Sequence, residues 1–340
     1  LTKEFYTIAV SGTHGKSTTT AMIGLLLTEA GLDPTVIVGT RVKEFGNSNC
    51  RIGESKYLVI ESDEYAASFL NYSPDIIVLT SLEADHLDYY GTFEKIFETF
   101  QKYLGNLKPN GHIVANGDDD NLTKLLQGRD ALHAYSKKDS SALKLKDILQ
   151  VPGKHNVSNA SAALSVASIL NIPHDTALKA LSQFKGTWRR FEIFEIDGPH
   201  PYTLVSDYGH HPTEIAATLQ GAREKWPDKN IWLIYQPHQY HRTFSLLDEF
   251  VSTLSALPIQ RLILADIYDV AGREDKEIKK QVSSQFLAER IQKNTDIEHI
   301  LHISPKEDIL PYLSKELQGG EIVIMMGAGT IYDLTLQLTK

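Results

Sequence analysis

The segment Gly12–Ser17 (Gly-Thr-His-Gly-Lys-Ser) contains the residue types that bind nucleotide phosphates. It follows an apolar run, Phe5–Val10, and precedes a helix-compatible run of threonines. The backbone N–H groups of such a turn and the N-terminus of the next helix point at phosphate oxygens. In this arrangement Lys16 reaches the β- and γ-phosphates, and the Ser17 hydroxyl binds Mg²⁺. The segment therefore predicts a site for a nucleoside triphosphate.

The glycines of this loop differ in position from those of the generic phosphate-binding motif. Val10 stands where that motif begins with glycine, so Gly12 is the usable glycine and the loop is compact. The residues predicted to contact the nucleotide here are Gly12, Thr13, Gly15, Lys16, Ser17 and Thr18.

Acidic segments follow two further apolar runs. Glu61–Glu64 comes after Tyr57–Ile60, and Glu83–His86 comes after the next such run. Because ligands bind beyond the carboxyl ends of parallel strands, we expect both segments to converge with the phosphate loop on one pocket. Glu61 comes first after its strand and is the best candidate ligand for Mg²⁺, which takes one or two carboxylates; a solvated acidic turn is the alternative. Imidazole suits softer metals, so His86 by itself indicates only a polar loop residue.

Other polar residues stand where they could bind the rest of a nucleotide. Asn156 and Asn159 offer donors and acceptors that suit an adenine edge, although an Asn could instead cap the Ala-rich helix predicted at Asn156–Leu170. The adjacent Arg189 and Arg190 could clamp a phosphate, or could form surface ion pairs.

The second half of the chain contains two polar segments after apolar runs, Asp207–Glu214 and Gln236–Arg242. The Asp207 carboxylate could accept a hydrogen bond from a ribose hydroxyl. The Gln236–Arg242 segment places polar and cationic groups where they could hold a small carboxylate. Zinc is not favoured at His210 and His211, because adjacent histidines do not direct both side chains at one metal.

Strand-like and helix-like segments alternate along the chain, which predicts an α/β fold. We expect a P-loop-type, mostly parallel sheet domain over residues 1–185, followed by a Rossmann-like α/β domain over 186–340. Lys137–Lys146 is polar and rich in serine and lysine, so it is predicted to be an exposed loop. The Gly327–Gly329 turn after the last strand is weak evidence for a dinucleotide site.

Composition narrows the class of protein. The 340 residues suffice for two domains, and a net charge of −9 argues against a nucleic-acid binder. The single Cys50 excludes an internal disulfide, and no apolar run is long enough to cross a bilayer. We therefore expect a cytoplasmic protein. Because the chain begins with Leu1, close to the phosphate loop, an upstream segment is expected to have been removed.

Taken together, these motifs resemble those of the Mur ligases, the ATP-dependent amide-forming enzymes of peptidoglycan synthesis. The resemblance extends from about residue 5 to the C-terminus, and the order of the motifs is more specific than any one of them. The last two motifs favour the alanine-adding branch of the family. The matching segments are Gly12–Thr20, Glu61–Phe69, Glu83–Asp88, Gly153–Ala163, Arg189–Glu192, Asp207–Glu214 and Gln236–Arg242.

The resemblance implies an activity and a role for each matching residue. The carboxyl of UDP-N-acetylmuramate would be activated by ATP as an acyl phosphate and joined to a small amino acid, L-alanine. The Mg²⁺ ligands would be Ser17, Glu61 and His86. The nucleotide would be held by the loop together with Asn156, Asn159, Arg190 and Asp207. The amino-acid site would be lined by Tyr208, His210, His238 and Arg242. The groups that promote catalysis would be Lys16, Glu61, His86 and Arg190, with His210 as the candidate base.

The chain departs from the family pattern in three ways. The N-terminal domain that binds the UDP-sugar is expected to be absent, and the stretch between Tyr135 and Gly153 is short. Gln239 stands where the branch has arginine, which leaves the identity of the amino acid open. The alternatives are a ligase that recycles a tripeptide onto UDP-N-acetylmuramate, another Mur-type ligase, or a nucleotide-binding module that is inactive without the missing domain.

Overall fold

The computed structural model describes residues 1–270 and 276–339. The chain forms two compact units, Leu1–Trp188 and Arg189–Lys340. Each unit is built on its own largely parallel sheet with helices packed against it, which confirms the predicted α/β class with a P-loop-type domain followed by a Rossmann-like domain.

The first unit contains a seven-stranded sheet in the order β3-β2-β4-β1-β5-β6-β7. Its strands are β1 (Tyr6–Ser11), β2 (Thr35–Val42), β3 (Ser48–Arg51), β4 (Tyr57–Glu61), β5 (Ile76–Leu79), β6 (His112–Asn116) and β7 (Leu132–Tyr135). Its helices are α1 (Lys16–Glu29), α2 (Leu87–Tyr90), α3 (Phe93–Leu104), α4 (Asp120–Leu125), α5 (Ser140–Ile148), α6 (Lys154–Ile169) and α7 (His174–Gln183). All neighbouring strands are parallel except the antiparallel pair β2 and β3.

The central strands of this sheet are buried on both faces. Along β5, Ile76 and Val78 join the core beneath α1, α6 and α7, whereas Ile77 and Leu79 join the core beneath α3. A strand buried on both faces is apolar at nearly every position. This is why β1, β4 and β5 appear in the sequence as continuous apolar runs.

The second unit contains a six-stranded sheet in the order β12-β11-β10-β13-β9-β8. Its strands are β8 (Glu192–Ile196), β9 (Tyr202–Asp207), β10 (Ile231–Tyr235), β11 (Arg261–Leu264), β12 (His299–His302) and β13 (Ile322–Met326). Its helices are α8 (Pro212–Lys225), α9 (Tyr240–Ser245), α10 (Leu247–Ser255), α11 (Lys276–Lys279), α12 (Ser284–Gln292), α13 (Ile309–Glu316) and α14 (Tyr332–Leu338). The strands are parallel except for the antiparallel edge pair β8 and β9.

One sequence-based expectation for the first unit is wrong. The segment Lys137–Lys146 is not an exposed loop throughout, because α5 begins at Ser140 and buries Ala142 and Leu145. The lysines around these two residues lie on the exposed face, so the apolar positions are too few to reveal the helix in the sequence.

Both sheets place polar segments at the carboxyl ends of neighbouring strands. In the first unit the phosphate loop follows β1, and the two acidic segments follow β4 and β5, the strands on either side of it. In the second unit the polar segments follow β9 and β10, which flank β13 and its glycine turn. Among the described residues, no helix is long and apolar enough to cross a membrane.

Candidate active site

The phosphate loop rests on the segment that follows β5. The Thr13 N–H donates to the Ser81 carbonyl at 3.0 Å, and the Glu83 N–H donates to the Thr13 hydroxyl at 2.8 Å. Gly12 has a φ of +128°, and a Cβ there would lie 2.3 Å from the Thr80 hydroxyl oxygen. Only glycine fits this close approach at this φ. The compact loop therefore depends on Gly12, the glycine selected from the sequence.

Gly15 closes the loop against α6. Its φ is +83°, and a Cβ would lie 2.5 Å from the Asn159 side-chain oxygen, so Asn159 lies directly on the loop. The Asn156 amide donates to the Pro152 carbonyl at 2.7 Å. Because α6 begins at Lys154, with Gly153 at the N-cap, Asn156 does not cap this helix, and that alternative is wrong. Both asparagines are buried beside the loop, where they remain candidates for contact with the base.

Lys16 forms a buried ion pair that the sequence analysis did not anticipate. Its ammonium lies 2.9 and 2.8 Å from the two carboxylate oxygens of Glu64 and 2.7 Å from the Gly12 carbonyl. The Glu64 side chain is 4% exposed, and the Lys16 side chain is 13% exposed. Charge-assisted hydrogen bonds to a carboxylate are about twice as strong as neutral ones, so this pair fixes the position of the lysine.

Burial acts differently on the two partners. Burial raises the pKa of Glu64 to about 7, and the neighbouring Lys16 only partly offsets this. Burial lowers the pKa of Lys16, but the combined attraction of Glu64, Asp63 and Glu61 outweighs it, and the pKa of Lys16 is raised. The lysine is therefore cationic at neutral pH, as binding to phosphate requires.

Two of the predicted Mg²⁺ ligands lie side by side. The Ser17 hydroxyl donates to one Glu61 carboxylate oxygen at 2.9 Å, and the other Glu61 oxygen accepts from the Gly39 N–H at 2.6 Å. A hydroxyl and a carboxylate oxygen are the hard donors that Mg²⁺ uses when it also binds nucleotide phosphates. The donor set of Ser17 and Glu61 therefore fits Mg²⁺. Thr18, the residue after Ser17, is buried in the first turn of α1.

The third predicted ligand, His86, lies in another part of the same site. Its Nε2 is 3.8 Å from Glu64 Oε1 and 3.8 Å from an Asp85 carboxylate oxygen, and its ring packs against Tyr65. Ligand atoms of Asp63, Glu64 and His86 all lie within 4.8 Å of one another. His86 is thus placed beside the carboxylate that binds Lys16.

In the second unit Asp207 is held by main-chain groups at the end of β9. One carboxylate oxygen accepts from the Phe191 N–H at 2.8 Å, and the other accepts from the Gly209 N–H at 2.8 Å. The side chain is buried, and burial raises the pKa of Asp207. Each oxygen retains a lone pair after these bonds, so contact with a ribose hydroxyl remains available.

The two arginines differ in environment. Arg189 is buried between the rings of Tyr208 and Tyr332, and it donates to the Gly327 carbonyl. The Arg190 side chain is 31% exposed and lies 3.6 Å from a Glu214 carboxylate oxygen. Arg190 is accordingly the better placed of the two to meet a ligand from solvent.

The four residues predicted to line the amino-acid site are neighbours. The Tyr208 and His210 rings are 5.5 Å apart, and the His210 and His238 rings are 5.6 Å apart. Arg242 Nη1 lies 3.2 Å from His238 Nδ1, and the His238 ring stacks on Tyr268. The cluster joins a cation, two imidazoles and a phenol, which together could hold a small zwitterion.

Family models and known proteins match most of the chain. A family model of the Mur ligase middle domain matches residues 10–167, and one of the Mur ligase, glutamate ligase domain matches residues 189–329. The UDP-N-acetylmuramate–L-alanine ligase of Clostridium acetobutylicum is 37% identical over 352 residues, covering 97% of this chain and 74% of that protein.

The chain belongs to the Mur ligase family.

Solved structures share the fold of this Mur ligase. The UDP-N-acetylmuramate–alanine ligase of Thermotoga maritima superposes with a TM-score of 0.75 at 24% identity, covering 99% of this chain and 75% of that one. The MurF ligase of Thermotoga maritima in complex with ADP gives a TM-score of 0.70 at 17% identity, covering 99% of this chain and 79% of that one.

Within this Mur ligase, Gln239 marks the start of α9 with a positive φ of 71°. Its N–H donates to the Tyr268 carbonyl at 3.0 Å, and its own carbonyl accepts from the Thr243 hydroxyl at 2.8 Å. Its backbone therefore links the segment that carries His238 to the one that carries Tyr268. His211 performs a similar local task, since its Nδ1 accepts from the Thr213 N–H and caps α8.

Sequence reasoning missed Glu64 and Gly39 as parts of this Mur ligase site. Glu64 belongs to the acidic segment after β4, but Glu61 was preferred because it comes first after the strand. The available indication was the second glutamate of Glu61–Glu64, three residues beyond the first. Gly39 contributes only a backbone N–H, for which the sequence contains no indication.

Proposed function

We propose that this Mur ligase joins L-alanine to the carboxyl group of UDP-N-acetylmuramate at the expense of ATP. The observation that carries the proposal is the 37% identity to a UDP-N-acetylmuramate–L-alanine ligase over 97% of the chain. The phosphate loop supports it, because its residues suit a triphosphate. The cluster of Tyr208, His210, His238 and Arg242 also supports it, because these side chains suit a small zwitterion.

The reaction proceeds in two steps that conserve atoms and charge. The sugar carboxylate attacks the γ-phosphorus of ATP, and ADP leaves as the acyl phosphate forms. The amine of the amino acid then attacks the acyl carbon, inorganic phosphate leaves, and the amine loses a proton as the amide forms. The first step depends mainly on the neutralisation of phosphate charge.

The residues of the first unit would supply that neutralisation. The Lys16 ammonium would bind the β- and γ-phosphates, and the N–H groups of Gly12–Gly15 would hold the phosphate oxygens. We assign Ser17, Glu61 and His86 to Mg²⁺, which when bound neutralises charge on the phosphates and the leaving group. Asn156 and Asn159 would contact the adenine region.

The residues of the second unit would hold the nucleotide sugar and the amino acid. Arg190 would bind phosphate, and Asp207 would accept from a ribose hydroxyl. Arg242 would bind the amino acid's carboxylate, with Tyr208 and His238 around it. His210 is the candidate base for the amine proton, because its imidazole lies within this cluster. Since the reaction consumes ATP, we place it in the cytoplasm.

Phosphate release tests the proposal. The chain is incubated with ATP, Mg²⁺ and UDP-N-acetylmuramate, and release is measured with L-alanine, glycine, L-serine or the tripeptide. We expect release that depends on L-alanine, and a preference for the tripeptide would instead indicate the recycling ligase. ATP binding without release under any condition would indicate a nucleotide-binding module that needs a further domain. A failure to bind ATP would contradict the site assignment as a whole.

A further inference from the structure

Glu64 occupies the hydrogen-bonding capacity of Lys16. An ammonium group has three N–H donors. Both Glu64 carboxylate oxygens lie within 2.9 Å of Lys16 Nζ, and the Gly12 carbonyl lies 2.7 Å from it. The Thr13 carbonyl lies 3.3 Å from it as well, so the three donors are shared among four acceptors. A phosphate group can bind the ammonium only by displacing one of them.

Glu64 is also fixed in place. Its carbonyl accepts hydrogen bonds from the Tyr90 hydroxyl and from the Ala67 N–H, and Tyr90 is itself buried. Only 4% of its side chain is exposed, so the carboxylate would have to disturb the surrounding packing to turn out into solvent. Its negative charge therefore stays beside the position of the lysine whether or not a nucleotide is bound.

We propose that Glu64 is a positioning residue that holds the Lys16 ammonium and competes with the nucleotide phosphates for it. The proposal rests on the proposed function, in which Lys16 binds the phosphates of ATP. Glu64 keeps the lysine ordered at the loop before ATP arrives. It also weakens nucleotide affinity, because the phosphates must take the ammonium from a buried carboxylate, and this favours release of ADP after the reaction.

The charge of Glu64, rather than its volume, carries this effect. Glu64→Gln keeps the shape and one acceptor oxygen but removes the charge. We expect it to tighten the binding of ADP and ATP at least about tenfold, because the repulsion between a carboxylate and a phosphate a few ångströms apart, at a protein's effective dielectric constant, exceeds the energy of a tenfold change. Damage to the fold would weaken binding, so a gain in affinity separates a positioning role from a merely structural one.

Two variants serve as controls. Asp63→Asn makes the same change of charge next in the sequence, where the carboxylate is 56% exposed and 3.9 Å from Lys16 Nζ, and it is expected to change affinity by less than about twofold. Glu64→Asp keeps the charge, and it is expected to bind nucleotide within about threefold of the wild type.

The experiment is calorimetric titration of ADP and ATP into the 340-residue chain and these variants, with EDTA and then with Mg²⁺, at about pH 8, where carboxylates are ionised. Tighter binding by Glu64→Gln in EDTA supports the proposal. Unchanged or weaker binding by Glu64→Gln in EDTA overturns it. A loss of nucleotide affinity in this variant that appears only with Mg²⁺ also overturns it, because it would identify Glu64 as a metal ligand. If the wild-type chain itself binds no nucleotide, the proposed function fails instead.

Discussion

The charged groups of the two units are stabilised in different ways. In the phosphate-loop site they bond to other side chains, Lys16 to Glu64 and Glu61 to the Ser17 hydroxyl. In the second unit, Asp207 and Arg189 are instead held by main-chain groups and rings. Asp207 accepts from two backbone N–H groups, and Arg189 lies between two tyrosine rings.

The difference predicts how each site responds to a ligand. In the phosphate-loop site, hydrogen bonds between side chains must break when a ligand binds, whereas the bonds that hold Asp207 remain. Side chains that pair with each other must break those pairs when a ligand takes over the charges. A carboxylate held by backbone N–H groups keeps its position, because removal of those bonds would leave buried donors unsatisfied. We expect substitutions in the first site to alter ligand binding more than stability, and those at Asp207 to do the reverse.

The largest expected effect comes from Lys16→Ala. Loss of the ammonium removes the main charge opposite the phosphates, and ATP affinity or turnover should fall about 100-fold or more. Calorimetric titration with ATP and phosphate release measure it. Lys138→Ala, at a side chain that is 82% exposed, is the control and should leave both unchanged. Equal values for Lys16→Ala and the wild type would contradict the assignment of the loop.

Asp207→Ala is expected to reduce stability by about 2–4 kcal/mol, because it leaves the Phe191 and Gly209 N–H groups buried without an acceptor. Urea unfolding measures this loss. Asp207→Asn retains an acceptor and should cost less. Glu61→Gln, in the site that changes partners, should cost under about 1 kcal/mol. Greater destabilisation by Glu61→Gln than by Asp207→Ala would contradict the expected difference between the two sites.

Arg242→Lys probes ligand recognition in the second unit. The guanidinium can grip a carboxylate with two parallel hydrogen bonds, whereas lysine offers a point charge. The KM for the amino acid should rise about tenfold, with little change in the affinity for ATP. Steady-state phosphate release measured against amino-acid concentration provides both values. A rise in the KM for ATP alone would place Arg242 in the nucleotide site.

The smallest expected effect concerns pH. Burial raises the pKa of Glu64 to about 7 in the folded chain, above the usual value of 4.5. The folded state therefore holds this proton over a range in which the unfolded state has lost it, and the resulting stability disappears as pH rises from about 4.5 to about 7. Relative to Glu64→Gln, the free energy of unfolding of the wild type, measured in urea, should fall over this range. Parallel pH profiles would contradict this.

The central strands of both sheets could be predicted from the sequence alone. Buried parallel strands such as β1 and β5 are continuous apolar runs, and they can be recognised without knowledge of their neighbours. Edge strands lack that pattern. β3 (Ser-Asn-Cys-Arg) and β7 are largely polar or exposed, and pairing with a neighbour defines them as strands.

The same limit applies to the site. The Gly12–Ser17 loop is local, and its residue types indicate phosphate binding by themselves. The role of Glu64 depends on its burial beneath Tyr90 and on contact with Lys16 at the start of α1, which no local pattern encodes. The bond from Phe191 to Asp207 likewise joins residues that only the fold of the second unit brings together.

The most direct test is a crystal structure of this chain with ADP bound, compared with one without nucleotide. The account predicts that Lys16 Nζ moves from Glu64 onto a phosphate oxygen, while the hydrogen bonds from Phe191 and Gly209 to Asp207 remain. A bound nucleotide with Lys16 still held by both Glu64 oxygens would contradict the exchange of partners in the phosphate-loop site.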